Sequence, residues 1–322
     1  MNNKILDLFC GIGGISKAFI NAGFEVEESI DIDKDCIDTM KLNFNNHKIT
    51  QADIKECFTS KFKRIKNLAV ITAGFPCQSF SRAGEKNGLS DDRGQLIFDI
   101  IRATELIKPK FVFLENVCGL LSTNNGEDFK IILGEFEKIG YKYNQHFICN
   151  TCDYSNLPQN RKRVYIIISN KEFKPISIEK FSGKKLTKDE IINPVNNPID
   201  DFLYYDRFQT FNQIQEEIEK DKNSFYSWHR YFLRKIMNNN SPTLTRTMGT
   251  GGHNIPIISD SNNRIRALTT RECLRLQGFP ESFQFPKKHR KFAYQQIGNS
   301  VSVPVVEIFA KKLIELLNHD KS

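Results

Sequence analysis

The chain has 322 residues, 39% of them hydrophobic and 26% charged, the balance of a water-soluble globular protein with one large domain or one and a smaller companion. No apolar run approaches the ~20 residues that cross a bilayer, and Met1–Asp7 carries an acid inside its only apolar stretch, which argues against a secretion signal. A cytoplasmic location is expected, with the eight cysteines kept reduced, and the formal net charge of +8 points to an anionic partner.

In chain order, the apolar segment Lys4–Phe9 predicts a strand and the spacing of Gly14–Ala22 a helix. A second strand is predicted over Phe24–Ile30 and a second helix over Asp35–Phe44. Buried strands follow at Leu68–Ala73, Phe111–Leu114 and Val164–Ser169, with a helix at Gln95–Ile107. This alternation predicts an α/β fold with a doubly wound, mostly parallel sheet.

The pattern breaks after Asn170. Residues 171–263 are rich in Asn, Lys, Ser and Pro, and "NPVNNPIDD" at 193–201 reads as a linker into a smaller domain. From Asn223 to Ser259 there is no acidic residue, while Arg230, Arg234, Lys235 and Arg246 accompany Phe225, Tyr226, Trp228, Tyr231 and Phe232. Basic residues interleaved with aromatics fit a nucleic-acid surface; an amphipathic helix with inward rings would account for most of the aromatics. Helices return at Thr270–Gln277 and Val303–Leu317.

Two loops carry chemistry. "DLFCGIGGIS" (7–16) joins the first strand to the first helix, where Gly11 and Gly13 permit a tight turn and the helix amino terminus attracts an anion. Asp31 ends the second strand, placed to accept from ribose hydroxyls. Ser16 stands where a dinucleotide fingerprint has its third glycine, so a nucleoside with a short carboxylate-bearing arm fits as well; S-adenosylmethionine is such a molecule. The second loop, "GFPCQSFS" (74–81), puts Cys77 at a strand's carboxyl end, where open α/β sheets keep their ligands. A nucleophile, a metal ligand and chance are all open readings of it. Cys149 and Cys152, with His146 upstream, lack a second ligand pair and read as two thiols on a strand, so no metal site is expected.

With those loops in place, the sequence resembles the DNA (cytosine-5)-methyltransferases of bacterial restriction-modification systems. The resemblance rests on six motifs in the family's order: "DLFCGIGG" (7–14), "GFPCQSFS" (74–81), "LENV" (114–117), "QNRKR" (159–163), "RALTTRECLRLQGFP" (266–280) and "GNSV" (298–301). It implies the S-adenosylmethionine-dependent methyltransferase fold, with a catalytic and cofactor-binding domain over 1–175 completed by 290–322. A target-recognition domain and hinge would occupy 176–289. Phe9, Gly11, Gly13, Asp31, Ile32, Asp53, Ile54 and Asn299 are implied cofactor contacts. The family often has Glu and an aromatic where this chain has Asp31 and Ile32, so the carboxylate arm is shorter and the adenine cover apolar rather than stacked.

The implied activity is methyl transfer to C5 of a cytosine flipped out of a specific duplex site. Cys77 becomes the nucleophile, adding to C6 so that C5 turns enamine-like. Glu115 would give a proton to N3, helped by a raised pKa in a closed pocket. Arg161 and Arg163 would hold the base's O2 and a nearby phosphate and pair with Glu115. Residues 81–95, with three glycines, would form a closing loop. Gln78, Ser81, Thr243 and Arg246 are the implied DNA contacts, Arg246 able to fork onto guanine. The resemblance also implies a cognate restriction endonuclease acting on the same site, and a monomer.

Three other readings stand beside this one. A tRNA cytosine-5 methyltransferase carries Cys-Phe-Thr late in the chain, whereas here Cys57-Phe58-Thr59 comes early. A non-catalytic DNA-binding regulator would be expected to lack Cys77 or Glu115. A nicotinamide-dependent oxidoreductase is disfavoured by Ser16 and the cysteine loop.

Overall fold

Eleven strands are found among the described residues: β1 (Lys4–Leu8), β2 (Glu25–Asp31), β3 (Lys48–Gln51), β4 (Val70–Ala73), β5 (Phe111–Val117), β6 (Tyr143–Asn150), β7 (Lys162–Ser169), β8 (Tyr226–His229), β9 (Phe232–Lys235), β10 (His253–Ser259) and β11 (Ile265–Ala267). The structure is a computed structural model that describes residues 3–76, 95–192, 211–229, 232–249, 253–288 and 290–319. The expected linker at 193–201 and nearly all of the expected closing loop lie outside them, as do Cys77, Gln78 and Ser81. The chain divides into two compact units. Unit 1 comprises Met1–Cys149, Lys162–Ile178 and Val305–Ser322; unit 2 comprises Asn150–Arg161 and Glu179–Pro304. Segments 150–161 and 290–304 thus group with unit 2, whereas the sequence boundaries set them with the cofactor-binding part.

Unit 1 is built on a seven-stranded sheet in the order β3-β2-β1-β4-β5-β7-β6. β1 to β5 pair in parallel, and β7 runs antiparallel to β5. This is the expected doubly wound α/β sheet. Its central strands read as unbroken apolar runs because helices cover both faces: all four residues of β4 and the first six of β5 are buried. One face packs Leu6, Leu8, Ile71, Leu114 and Ile166 against Ile97, Ile100 and Phe136. On the other, Phe113 meets Phe19 at 5.4 Å, and Tyr165 stacks on Phe309 at 4.9 Å. Phe309 comes from the helix Val303–His319, which buries Val305, Val306, Phe309, Ala310, Leu313 and Leu317, a helical stripe.

Unit 2 holds a four-stranded sheet in the order β11-β10-β8-β9, antiparallel throughout. Of the aromatic run, for which an amphipathic helix was one expectation, Tyr226 and Trp228 lie on β8 and Phe232 on β9. Tyr226 and Trp228 are two residues apart and so share a sheet face, where both pack with Ile255, Ile257 and Ile265. The helix Thr270–Gln277 starts on a capping box between Thr269 and Glu272 and stops at Gly278 in the left-handed region, φ 82°. Glu272 also takes a buried bidentate ion pair from Arg266, at 2.8 and 2.9 Å. No helix of the described residues is long and apolar enough to cross a membrane.

Candidate active site and recognition loop

The glycine loop turns off the end of β1 through three left-handed residues, Phe9 (φ 56°), Gly11 (φ 53°) and Gly13 (φ 81°). At Gly13 a side chain is excluded, since a Cβ would lie 2.3 Å from Met40 Sδ and 2.6 Å from the Phe44 ring. At Gly11 the space beside the backbone is open: a Cβ there would meet nothing within 4 Å. Gly13 is also the N-cap of the helix Gly14–Asn21, which has no acid in its first turn.

Asp31 secures this loop. Its Oδ2 accepts from the Gly11 N–H at 2.8 Å and its Oδ1 from the Asp33 N–H at 2.9 Å. Burial pushes its pKa up. Ile32 beside it is 63% exposed, an unusual position for a large aliphatic side chain. Asp53 caps the short helix Ile54–Phe58 by accepting from the Lys55 N–H at 2.9 Å, while the Ile54 side chain is buried in the core. Cys57 and Phe58 are core residues of this same turn.

These residues fit an adenosyl sulfonium. The open space at Gly11, a carboxylate at the end of β2, and an apolar side chain presented at the surface offer what a ribose and an adenine need.

Underneath, Asp7 supports the loop from the core. Its Oδ2 accepts from the Ser16 hydroxyl at 2.5 Å and the Ser16 N–H at 3.1 Å, and its Oδ1 accepts from Thr72 at 2.8 Å. Burial dominates over these bonds and raises its pKa to about 6.

At the carboxyl ends of β4 and β5 lies Glu115, the proton donor expected from the sequence. Glu115 is 7% exposed. Its Oε1 is 3.2 Å from Arg163 Nε, and its Oε2 would be 3.8 Å from a Cβ on Gly74. Asn116 Nδ2 donates to the Phe75 carbonyl at 3.3 Å, fixing the segment that leads into Cys77. Gly74 and Glu115 therefore lie close together, with Cys77 three residues further along the chain. Asn116 was not singled out in the sequence, although it stands inside the quoted "LENV".

Arg161 departs from expectation. It is 2% exposed and belongs to unit 2, whereas Arg163 belongs to unit 1. Its Nη1 donates to the Leu244 carbonyl at 3.0 Å, and its two Nη atoms reach the Gly298 carbonyl at 3.4 and 3.3 Å. Nη2 also donates to the Ser300 carbonyl. A guanidinium engaged in this way binds main chain, so this geometry does not offer it to a base. Asn299, the implied cofactor contact, is exposed at the end of the helix Arg290–Asn299 in unit 2.

The segment around Thr243 and Arg246, the implied DNA contacts, lies in the same unit. The Thr243 hydroxyl donates to the Asn160 carbonyl, Leu244 is buried, and Arg246 is exposed on the turn 246–249. Of the thiol pair, Cys149 lies within β6 but Cys152 lies on a single helical turn, Thr151–Tyr154, so the strand expectation holds for one only.

A mixed seven-stranded sheet with a glycine loop at the end of β1 and an acid at the end of β2 defines an S-adenosylmethionine-dependent methyltransferase. The chain belongs to the C-5 cytosine-specific DNA methylases: the family's model matches residues 3–315. It is similar to the Type II methyltransferase M.Bsp6I of Bacillus sp. (strain RFL6), with 37% identity over 96% of this chain and 98% of that one. The Type II methyltransferase M.HaeII of Haemophilus aegyptius is 35% identical, over 98% and 94%. In fold it resembles the crystal structures of S. pombe Dnmt2 (TM-score 0.72, 21% identity, 98% and 99% covered) and Spodoptera frugiperda DNMT2 (0.71, 19%, 97% and 99%). The protein is thus a DNA cytosine-5 methyltransferase, with S-adenosylmethionine as the methyl donor.

Proposed function

We propose that the protein methylates C5 of one cytosine flipped out of a specific duplex DNA site, through a covalent bond between Cys77 Sγ and C6. The observation that carries the reading is the approach of Glu115 to Gly74, three residues before Cys77 in the chain. Cytosine C5 is a weak nucleophile while the ring is aromatic. Addition of the Cys77 thiolate to C6, with a proton from Glu115 to N3, places enamine electron density on C5. S-adenosylmethionine supplies the methyl group as a sulfonium electrophile. Loss of the C5 proton to solvent and of the thiolate, with the N3 proton returned to Glu115, then restores the neutral aromatic ring. Arg163, at 3.2 Å from Glu115, orients that carboxyl and is the arginine suited to the base's O2. Phe9, Gly11, Gly13, Asp31, Ile32, Asp53 and the Ile54 backbone would hold the cofactor in unit 1, with Asn299 contributing from the "GNSV" loop.

Unit 2, in this reading, recognises the target. Thr243 and Arg246 contact DNA from it, the acid-free stretch from Asn223 to Ser259 facing phosphates, and Gln78 and Ser81 are DNA contacts of the cysteine loop. A cognate restriction endonuclease acting on the same site, a cytoplasmic location and a monomeric state complete the proposal. Duplex DNA carrying 5-fluorocytosine tests it, because fluorine cannot leave C5 as a proton does. The wild-type protein is expected to be trapped as a denaturation-resistant adduct, and Cys77→Ser to form none and to lose methyl transfer. Substantial turnover by Cys77→Ser would sink the nucleophile assignment.

A further inference from the structure

The segment Pro158–Arg161 acts as a rail for the recognition loop. Gln159 pairs with Ser241 in a parallel bridge, the Ser241 N–H donates to the Pro158 carbonyl at 2.6 Å, and the Asn160 N–H donates to the Ser241 carbonyl at 3.0 Å. Thr243 closes the run on the Asn160 carbonyl. At the end of this rail the Arg161 guanidinium bridges Leu244, at the root of the Arg246 turn, to Gly298 and Ser300 on either side of Asn299.

The two bridged loops also touch directly. Gly298 has no room for a side chain, because a Cβ would lie 2.2 Å from the Thr245 carbonyl carbon and 2.4 Å from the Arg246 nitrogen. From the other side, Gln159 Nε2 donates to the Leu276 carbonyl at 2.6 Å and to Gln277 Oε1 at 3.2 Å. Gln277 Nε2 in turn donates to the Ile297 carbonyl at 3.0 Å and the Ser300 carbonyl at 3.4 Å. Gln159 and Gln277 have no exposed surface. Buried polar groups joined in this way fix one arrangement of the segments they connect, since a shifted segment leaves them without partners.

We infer that Arg161, with Gln159 and Gln277, is a positioning residue that holds the Arg246 turn in register against the "GNSV" loop, so that discrimination between DNA sites depends on it. Arg161 touches no reacting atom in this assignment. It acts through the backbone of Leu244 on the side chain two residues later, and a bidentate guanine contact tolerates little displacement of that side chain. The inference rests on the proposed role of Arg246 in reading DNA.

The test is methylation of a duplex library with randomised sites, read by bisulfite sequencing, for wild type, Arg161→Lys and Gln277→Met. Arg161→Lys keeps the charge and loses the fork that spans three carbonyls. It is expected to lower the preference for the best site over single-mismatch sites about tenfold, with S-adenosylmethionine affinity within about twofold of wild type. Gln277→Met, which nearly conserves volume, is expected to lower it in the same direction by less. Unchanged selectivity of Arg161→Lys, with slower turnover on the preferred site, would overturn the inference and return Arg161 to the chemistry. Should Arg161→Lys fail to fold, Gln277→Met decides, and wild-type selectivity there would overturn the inference as well. If the wild-type protein methylates no library member, the proposed function itself falls, and the inference with it.

Discussion

Arg163 sits directly opposite Val117 on the antiparallel β5–β7 ladder, yet its Nε lies 3.2 Å from Oε1 of Glu115, diagonally across the strands. Side chains two residues apart share a sheet face, so the arginine can lean along β7 to reach the carboxylate. Both side chains are nearly buried, at 14% and 10% exposure. The antiparallel insertion of β7 beside β5 is therefore what brings an arginine to the acid at the end of the parallel sheet.

Glu115→Gln keeps shape and hydrogen bonding but cannot supply a proton to N3. Single-turnover methyl transfer is expected to slow by ~100- to 10,000-fold, with cofactor affinity unchanged. A rate near wild type would make Glu115 a structural partner of Arg163 and nothing more.

Asp31→Ala removes the acceptor of the Gly11 and Asp33 N–H groups. The variant also loses the carboxylate proposed to accept from the ribose hydroxyls, and a charged hydrogen bond is worth about 1.5–3 kcal/mol, so S-adenosylmethionine is expected to bind about 10- to 100-fold more weakly in calorimetry. Wild-type affinity would show that Asp31 only ties down the loop.

For Arg246, exposed on its turn, alanine substitution separates base reading from phosphate binding. A guanine contact predicts a loss of roughly 1–3 kcal/mol at one base pair. Methylation of a site library at two salt concentrations checks this. Uniform weakening with a smaller salt slope would assign Arg246 to the backbone instead.

Asp7 gives a pH dependence. Its folded-state pKa, about 6, lies above the ordinary aspartate value of 3.8, so the native state keeps this proton to higher pH than the unfolded chain does. The associated stability is present below about pH 4 and is lost as pH rises through about 6, by roughly 3 kcal/mol. Urea unfolding of wild type and Asp7→Asn between pH 4 and 7 is expected to show the wild type losing ground to the variant with rising pH. A constant difference would mean that Asp7 titrates normally.

What the sequence revealed most directly was the glycine loop and its acid. Gly11 and Asp31 are joined by one helix and one strand in immediate succession, and the hydrogen bond between them needs no distant partner. The same locality made the parallel strands legible: two-sided burial leaves continuous apolar runs in β4 and β5. The motifs "GFPC" and "LENV" pointed to one site because both end neighbouring strands of that sheet.

The small sheet was harder to read. Tyr226 and Trp228 could have lined a helix, and only Ile255, Ile257 and Ile265, brought in from later strands, make them a strand face.

Arg161 marks the limit. Read as a sequence, "QNRKR" holds two equivalent arginines; in the fold one meets the acid in unit 1 and the other is buried in unit 2. The difference lies in what Arg161 binds: main-chain carbonyls of Leu244, Gly298 and Ser300, which are 83, 137 and 139 residues away. Every residue has a carbonyl, so an acceptor of that kind leaves no mark in the sequence. The sequence by itself therefore determined which residue types the chemistry uses and the order of the elements that bear them. Which arginine meets Glu115 and which binds the main chain of Leu244, Gly298 and Ser300 was decided by tertiary structure alone, through long-range contacts to a backbone whose identity is the same everywhere.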